Sequence, residues 1–219
     1  MAFIHSPKII TDGLVLALDA GNVKSYPRSG TRWSDLSGNN NNGTLTNGPT
    51  FNAANGGSIV FDGTNDYVNL ASAVNTNASF TLTFWAVRTA DANPTLFSGI
   101  NVGGGYLQIR MSESYVSLVK SFIAELGNFG ASSATSLNTI AQIVLTRTGT
   151  TYTVYVDGQQ KGTLTFTQTY ITANTTIGIN SQSTEPFTGR VYQFLYYNRV
   201  LSPDEILQNF NATRARFGV

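Results

Sequence analysis

The sequence predicts an all-β domain built from short antiparallel strands. Hydrophobic and polar residues alternate in runs such as 80–87 and Thr151–Val156, and turns rich in Gly, Asn and Asp separate these runs. A side-chain period of two over this length is satisfied only by a strand. Short strands at this spacing are typical of sandwiches and barrels.

Composition supports a single domain and excludes several functions. The chain has 219 residues, of which 41% are hydrophobic, enough for a core, and only 11% are charged. The net charge of +1 is spread along the chain, so we expect no nucleic-acid partner and no polybasic membrane contact. Because the chain lacks cysteine, disulfides and thiolate metal sites are excluded.

The beginning of the chain predicts an arm rather than a leader. Residues 1–12 lack the apolar run of a secretory signal, and the domain is expected to span 13–219. No stretch approaches the roughly 18 apolar residues of a membrane span. The low-charge, Asn- and Thr-rich composition is typical of surfaces that work outside cells. A virus particle assembled in the host cytoplasm and later released fits both observations.

The strands can be placed in order along the chain. We expect a strand buried on both faces at 14–18, and then a long loop over 20–57 that Trp33, Leu36, Leu45 and Phe51 attach to the core. A hairpin is predicted from 58–61 and 66–70, joined by the turn 62–65. The run 80–87 carries aromatics on both faces and is expected to be central. Further strands are predicted at 106–111, 115–119, 140–147, 151–156 and 190–197.

Only the C-terminus departs from this pattern. Ser202, Pro203 and Glu205 have the spacing of a helix N-cap, a proline in the first turn and a capping-box glutamate. A short helix is therefore predicted, with Ile206, Leu207 and Phe210 on the stripe that packs against the sandwich.

Six segments carry recognisable motifs, in the order 13–20, 33–39, 59–68, 80–85, 152–158 and 197–202. Together they resemble laminin G-like domains of the concanavalin A-like lectin/glucanase type. The opening segment and the Phe-Asp-Gly-Thr-Asn-Asp-Tyr segment are most similar to versions found in bacteriophage structural proteins. The resemblance implies a jelly-roll sandwich of two antiparallel sheets with a short C-terminal helix, often with a calcium site and a rim that binds glycan or protein.

Catalysis is not expected. Retaining glycosidases on this fold place carboxylates on one strand as Glu-x-Asp-x-Glu, because the period of two aims them at one cleft. That pattern is missing here, and each glutamate stands alone. The sole histidine, His5, lies in the predicted arm, and no thiol is available as a nucleophile. The glutamates are Glu113, Glu125, Glu185 and Glu205.

Calcium is the cofactor for which the sequence offers candidates. Asp62, Asn65 and Asp66 cluster hard oxygen donors of the kind that calcium prefers. The same residue types also suit a tight turn, and this alternative stays open. Gln193 stands where the resemblance leads us to expect an acidic residue.

Glycan binding would need an aromatic ring beside amide or carboxylate groups. Trp33 with Asp35, Tyr26 and Tyr106 are the candidates, and a packing role is the alternative for each aromatic.

Three functions from different classes remain. The first is a virion structural protein of a bacteriophage, either a capsid decoration (cement) protein or a tail-fibre adhesin. Such a protein would form homo-oligomers and contact other virion proteins, with residues 1–11 reaching a neighbour. The second is a freestanding lectin. The third is a glucanase-type hydrolase, which is disfavoured because the Glu-x-Asp-x-Glu pattern is missing.

Overall fold

The computed structural model describes residues 7–75, 78–90, 94–101, 106–112, 115–120, 123–130, 135–166, 172–180 and 184–219. These residues form two eight-stranded antiparallel sheets and a C-terminal helix, which confirms the predicted sandwich. In chain order the elements are β1 (Leu14–Asp19), β2 (Arg32–Trp33), β3 (Gly43–Thr46), β4 (Thr50–Asn52), β5 (Ser58–Asp62), β6 (Tyr67–Leu70), β7 (Phe80–Arg88), β8 (Thr95–Asn101), β9 (Tyr106–Met111), β10 (Tyr115–Lys120), β11 (Ile123–Gly130), β12 (Ala141–Thr148), β13 (Thr151–Val156), β14 (Gln159–Thr165), β15 (Thr172–Ile177), β16 (Thr188–Tyr197) and α1 (Pro203–Phe217).

Each sheet combines strands that are distant in sequence. The first sheet has the order β14-β13-β12-β7-β16-β5-β4, and β1 pairs with the C-terminal half of β16. The second sheet has the order β11-β10-β9-β8-β15-β6-β3-β2. No helix in the described residues has the length and apolar character that crossing a bilayer requires.

The core between the sheets is rich in aromatic rings. Phe84 of β7 stacks on Phe194 of β16 with ring centroids 4.5 Å apart, and Phe97 of the opposite sheet meets Phe84 edge to face at 5.8 Å. The central position predicted for β7 is confirmed, since every one of its side chains is buried. Burial of this many rings is the main source of stability for a chain without disulfides.

Helix α1 covers the outer face of the first sheet. Ser202 accepts a hydrogen bond from the Glu205 amide, and the Glu205 carboxylate accepts one from the Ser202 amide, so the predicted capping box is confirmed. Ile206 and Phe210 are buried as predicted, whereas Leu207 is 38% exposed. The buried stripe of α1 is narrower than predicted, because Leu207 lies at the edge of the contact between the helix and the sheet.

The Glu205 carboxylate gives the helix start a pH dependence. A hydrogen-bonded ion pair with Arg199, at 2.7 Å, lowers the Glu205 pKa to about 2. This stabilisation is complete above the unfolded-state value near 4.5 and is lost as the pH falls through about 2. We expect Glu205→Gln to lower the free energy of unfolding by about 1 to 2 kcal/mol at pH 7.

Urea unfolding at several pH values measures this difference. The wild type and Glu205→Gln should converge near pH 2, and a gap that persists there would contradict the assignment. Asp204→Asn is the matched control, because Asp204 is an exposed acid in the same first turn.

The segment before β1 lies against the domain. The Ile10 amide donates to Asn209 Oδ1 at 2.8 Å, and the Tyr197 hydroxyl donates to the Ile10 carbonyl at 3.0 Å. Burial raises the Tyr197 pKa to about 12, so its hydroxyl stays a donor at neutral pH. Asn209 Nδ2 donates to the same hydroxyl and so closes a cycle of three hydrogen bonds. Residues 8–12 are therefore docked, and residues 1–6 of the predicted arm, including His5, lie outside the described residues.

Two predictions about pairing and packing are wrong. The strands β5 and β6 do not form a hairpin, because β5 pairs with β4 and β16 while β6 pairs with β3 and β15. The turn 62–65 instead links the two sheets. Leu36 is 40% exposed and does not attach its loop to the core, although Trp33 and Leu45 do.

Candidate functional site

The outer face of the second sheet carries a continuous row of polar residues. Six of them lie directly opposite one another on six adjacent strands, and we call this set the polar row. Directly opposed residues of antiparallel strands share a face. At about 4.8 Å per strand, the row is roughly 24 Å long. Its members are Arg32 on β2, Thr44 on β3, Asn69 on β6, Thr176 on β15, Ser98 on β8 and Gln108 on β9.

The neighbours of the row along each strand establish which way it faces. Trp33, Leu45, Val68, Ile177 and Leu107 all belong to the core. Since strand side chains alternate between faces, the row points away from the core.

Exposure falls from one end of the row to the other. Arg32, Thr44 and Asn69 are exposed, whereas Ser98 and Gln108 have no exposed surface. Thr176 lies between them at 8% exposure, and its hydroxyl donates to the Ile179 carbonyl at 2.8 Å. The row therefore has an open end and a covered end.

Three half-buried tyrosines share the face of the polar row. Tyr67 is two residues from Asn69, and Tyr106 is two residues from Gln108, so the period of two places both rings on the outer face. Tyr115 occupies the same face of β10. Tyr106 is the predicted glycan candidate that the fold brings to this face.

The covered end contains polar atoms without hydrogen-bond partners. Ser98 Oγ, both amide atoms of Gln108 and Ser117 Oγ bond to no other group in the described part of the chain, and all three side chains are fully buried. Ser117 lies on β10 directly opposite Arg110. Buried polar groups without partners are uncommon in folded proteins and reduce stability.

A compensated ion pair borders the covered end. Arg110, two residues from Gln108 on β9, binds the Glu185 carboxylate with its guanidinium. Thr95 and Asn180 also donate to Glu185, at 3.4 and 3.1 Å. The positive and negative charges at this end therefore offset each other.

Two of the aromatic glycan candidates lie in the core. Trp33 is fully buried between the sheets, and Tyr26 is 3% exposed, with its hydroxyl donating to the Gly30 carbonyl at 2.8 Å. Tyr26 also lies beside Phe51, with ring centroids 5.9 Å apart. This is the packing alternative that the sequence left open for both rings.

Asp35 organises the loop after β2. Its carboxylate accepts hydrogen bonds from the backbone amides of Ala17 and Ser37 at 2.8 Å and of Asn41 at 3.0 Å. We expect Asp35→Ala to lower the free energy of unfolding by about 2 to 3 kcal/mol, because three amides lose a charged acceptor. Urea unfolding of the variant measures the loss, and a change below 1 kcal/mol would contradict this role.

The calcium candidates satisfy the bonding needs of a turn. Asp62 Oδ1 accepts from the Thr64 amide at 2.7 Å, and Asp66 Oδ2 accepts from the Asp62 amide at 3.1 Å. Burial of Asp66 raises its pKa, and the nearby Asp62 charge adds to this rise. Asn65 is exposed, and its carbonyl accepts from the Asn47 amide group. Among the described residues, no three His, Cys, Asp or Glu side chains gather closely enough to hold a metal ion.

Calcium binding nevertheless stays a prediction with a direct test. A ligand that binds only the native state raises its melting temperature. If Asp62, Asn65 and Asp66 hold calcium, the melting temperature in 1 mM calcium should exceed that in chelator. The Asp62→Asn variant should then have the same melting temperature in both conditions. An identical melting temperature of the wild type in both conditions would show that these residues do not bind calcium.

None of the six residues of the polar row was singled out from the sequence. Alternation in β9 does predict that Tyr106 and Gln108 share a face. The register that aligns six strands depends on pairings between β2, β3, β6, β15, β8 and β9, which no local pattern encodes. The strands β8, β11, β14 and β15 were missed, and β2, β3 and β4 lie in the stretch predicted as a long loop, so four of the six strands that carry the row were not predicted.

Comparisons with known proteins identify similar folds. No curated protein sequence matches the chain significantly. Trypanosoma rangeli sialidase with 2,3-difluorosialic acid has a TM-score of 0.72 at 18% identity, covering 98% of this chain and 37% of the sialidase. The chain thus spans about a third of the sialidase chains that it matches.

Two further structures are similar over most of this chain. Domain 4 of AbnA, a GH43 extracellular arabinanase from Geobacillus stearothermophilus in complex with arabinotriose, has a TM-score of 0.67 at 15% identity, covering 90% of this chain and 97% of that domain. The botulinum neurotoxin serotype D binding domain has a TM-score of 0.70 at 13% identity, with coverages of 92% and 52%.

The family model described as "Concanavalin A-like lectin/glucanases superfamily", a laminin G-type model, matches residues 62–207, which is two thirds of the chain. This chain belongs to the concanavalin A-like lectin/glucanase superfamily.

Proposed function

We propose that the domain is a non-catalytic glycan-binding module and that the polar row is its binding surface. The observation that carries the proposal is the alignment of hydroxyl, amide and guanidinium groups on one face. Sugars are bound by such groups together with aromatic rings, and Tyr67 and Tyr106 flank the row. A row of about 24 Å suits an extended oligosaccharide better than a single sugar.

The distribution of carboxylates supports binding without hydrolysis. The strands that carry the row contain no Asp or Glu, whereas glycoside hydrolysis uses a pair of carboxyl groups about the scissile bond. Glu185 lies at the covered end, but Arg110 binds its carboxylate. The arabinanase domain solved with arabinotriose has a similar fold, which makes arabinotriose a suitable first ligand to test.

Titration calorimetry with matched variants tests the site. A glycan array selects ligands, and arabinotriose is included as a neutral probe. Asn69→Ala and Thr44→Ala remove exposed polar groups from the row, and each should weaken binding about 5-fold or more. Thr163→Ala is the control, because Thr163 is an exposed threonine on β14 of the other sheet. Unchanged affinity in both row variants would contradict the proposal.

We further propose that the module belongs to a bacteriophage particle, as a capsid decoration protein or a tail-fibre adhesin. The support is the motif resemblance to phage structural proteins. Residues 8–12 are hydrogen-bonded to their own domain. We therefore assign the contact with a neighbouring subunit or another virion protein to residues 1–6.

Cryo-EM of purified particles tests this location. The chain should occupy symmetry-related positions, and deletion of residues 1–6 should release it while leaving the domain folded. Deletion of 1–11 is unsuitable because it removes Ile10 from its hydrogen bonds to Tyr197 and Asn209. Absence of the chain from particles would contradict the location and leave the glycan proposal standing.

A further inference from the structure

We infer that the covered end of the polar row is a specificity subsite for an uncharged polar group of the glycan, either a hydroxyl or an acetamido group. The inference rests on the proposed function and names the chemistry of its ligand. The subsite consists of Ser98, Gln108 and Ser117.

The three side chains come together through strand pairing. Ser98 lies directly opposite Gln108 on the neighbouring strand. Gln108 pairs on its other side with Val119, so Ser117, two residues away, is its diagonal neighbour on the same face. One amide and two hydroxyls therefore share a small area.

The unpartnered atoms define what the subsite can bind. The Gln108 amide offers a donor and an acceptor, and each serine hydroxyl can do either. A sugar hydroxyl or an acetamido group, which also donates and accepts, complements this set. A site built to bond such a group discriminates strongly against analogues that lack it.

The charges at this end do not favour an acidic ligand. The described charged groups beside the subsite are Arg110 and Glu185, and they are paired with each other. Glu185 binds the guanidinium through Nη2 and offsets its charge, so the only attraction left for a carboxylate among the described groups beside the subsite is the unpartnered Arg110 Nε. We therefore expect neutral sugars to be bound in preference to sialic acid, a ligand of the structurally similar sialidase.

The clustering of these groups points to function rather than to folding, because the described residues also contain scattered buried atoms without partners, such as Ser58 Oγ and Gln142 Oε1. A buried amide without partners destabilises a protein, whereas leucine of similar volume has no polar atoms to satisfy. Sites that break such rules are commonly functional. Since none of the three side chains is exposed, a ligand reaches them only when the atoms that cover them move.

The Gln108→Leu variant separates the functional role from a structural one. If the subsite serves binding, the variant should melt about 2 to 6 °C higher than the wild type. Its affinity for the neutral oligosaccharide that binds best, with arabinotriose as first probe, should fall at least 10-fold. Ser117→Ala should weaken binding in the same direction.

Thr176→Val is the matched control. Thr176 lies on the same row, but its hydroxyl already has a partner in Ile179, so we expect this variant to melt lower. Lower melting of Gln108→Leu would overturn the inference. The inference would also be overturned if Gln108→Leu bound the glycan as tightly as the wild type while Asn69→Ala bound it more weakly. That result would leave the proposed function standing. Tighter binding of sialic acid than of neutral sugars would overturn the charge argument, and no binding of any glycan by the wild type would overturn both proposals.

Discussion

Replacing Trp85 with alanine is expected to lower the free energy of unfolding by about 3 to 5 kcal/mol. The ring is fully buried between the first sheet and α1, with centroids 5.7 Å from Phe210 and 4.3 Å from Phe217. Its Nε1 donates to Thr213 Oγ1 at 2.9 Å. Truncation removes both aromatic contacts and the bond that fixes the helix, and urea unfolding measures the loss.

Thr213→Val isolates the hydrogen bond from the ring contacts. The valine keeps the shape but loses the acceptor and the hydroxyl's own hydrogen bond to the Asn209 carbonyl, so a cost of about 1 to 2 kcal/mol is expected. If Trp85→Ala costs no more than this control, the aromatic contacts do not hold the helix on the sheet.

Gly189→Ala is expected to cost about 3 kcal/mol. Gly189 lies on β16 between Arg88 of β7 and Phe61 of β5. A Cβ at this position would be 2.2 Å from the Val87 carbonyl oxygen and 2.8 Å from the Phe187 ring. Because the nearest atom belongs to the backbone of a central strand, a side-chain movement does not relieve the overlap.

Gly149→Ala provides the comparison. Gly149 has a φ of +58°, and apart from its chain neighbours no atom would lie within 4 Å of a Cβ there, so only its backbone conformation opposes the change. We expect about 1 kcal/mol for this variant. Equal costs for the two alanine variants, measured by thermal or urea unfolding, would contradict the steric account of Gly189.

Local patterns predicted the strands that alternate clearly and the helix that begins with a capping box. The bounds Tyr106–Met111 and Thr151–Val156 agree with the structure residue for residue, because hydrophobic and polar positions alternate through both. The strand Gln159–Thr165 was missed because its side chains are largely exposed and its residues give no hydrophobic period.

Strand partners were the part that local patterns could not supply. The turn at 62–65 has hairpin chemistry, but β5 and β6 belong to different sheets, since each finds its partners far away in sequence. The polar row has the same origin: Asn69 and Thr176 are neighbours only through long-range pairing. Trp33 shows the opposite case. In the sequence, an aromatic residue near an acidic one resembles a sugar-binding site, but in the structure the Trp33 ring is fully buried.

Backbone amide NMR shifts during titration with the best-binding neutral oligosaccharide test the central claim most directly. We expect the largest changes on β3, β6, β15, β8 and β9, around Thr44, Asn69 and Gln108, and almost none on α1. Saturable changes confined to α1 and the first sheet would contradict the assignment of the polar row as the binding surface.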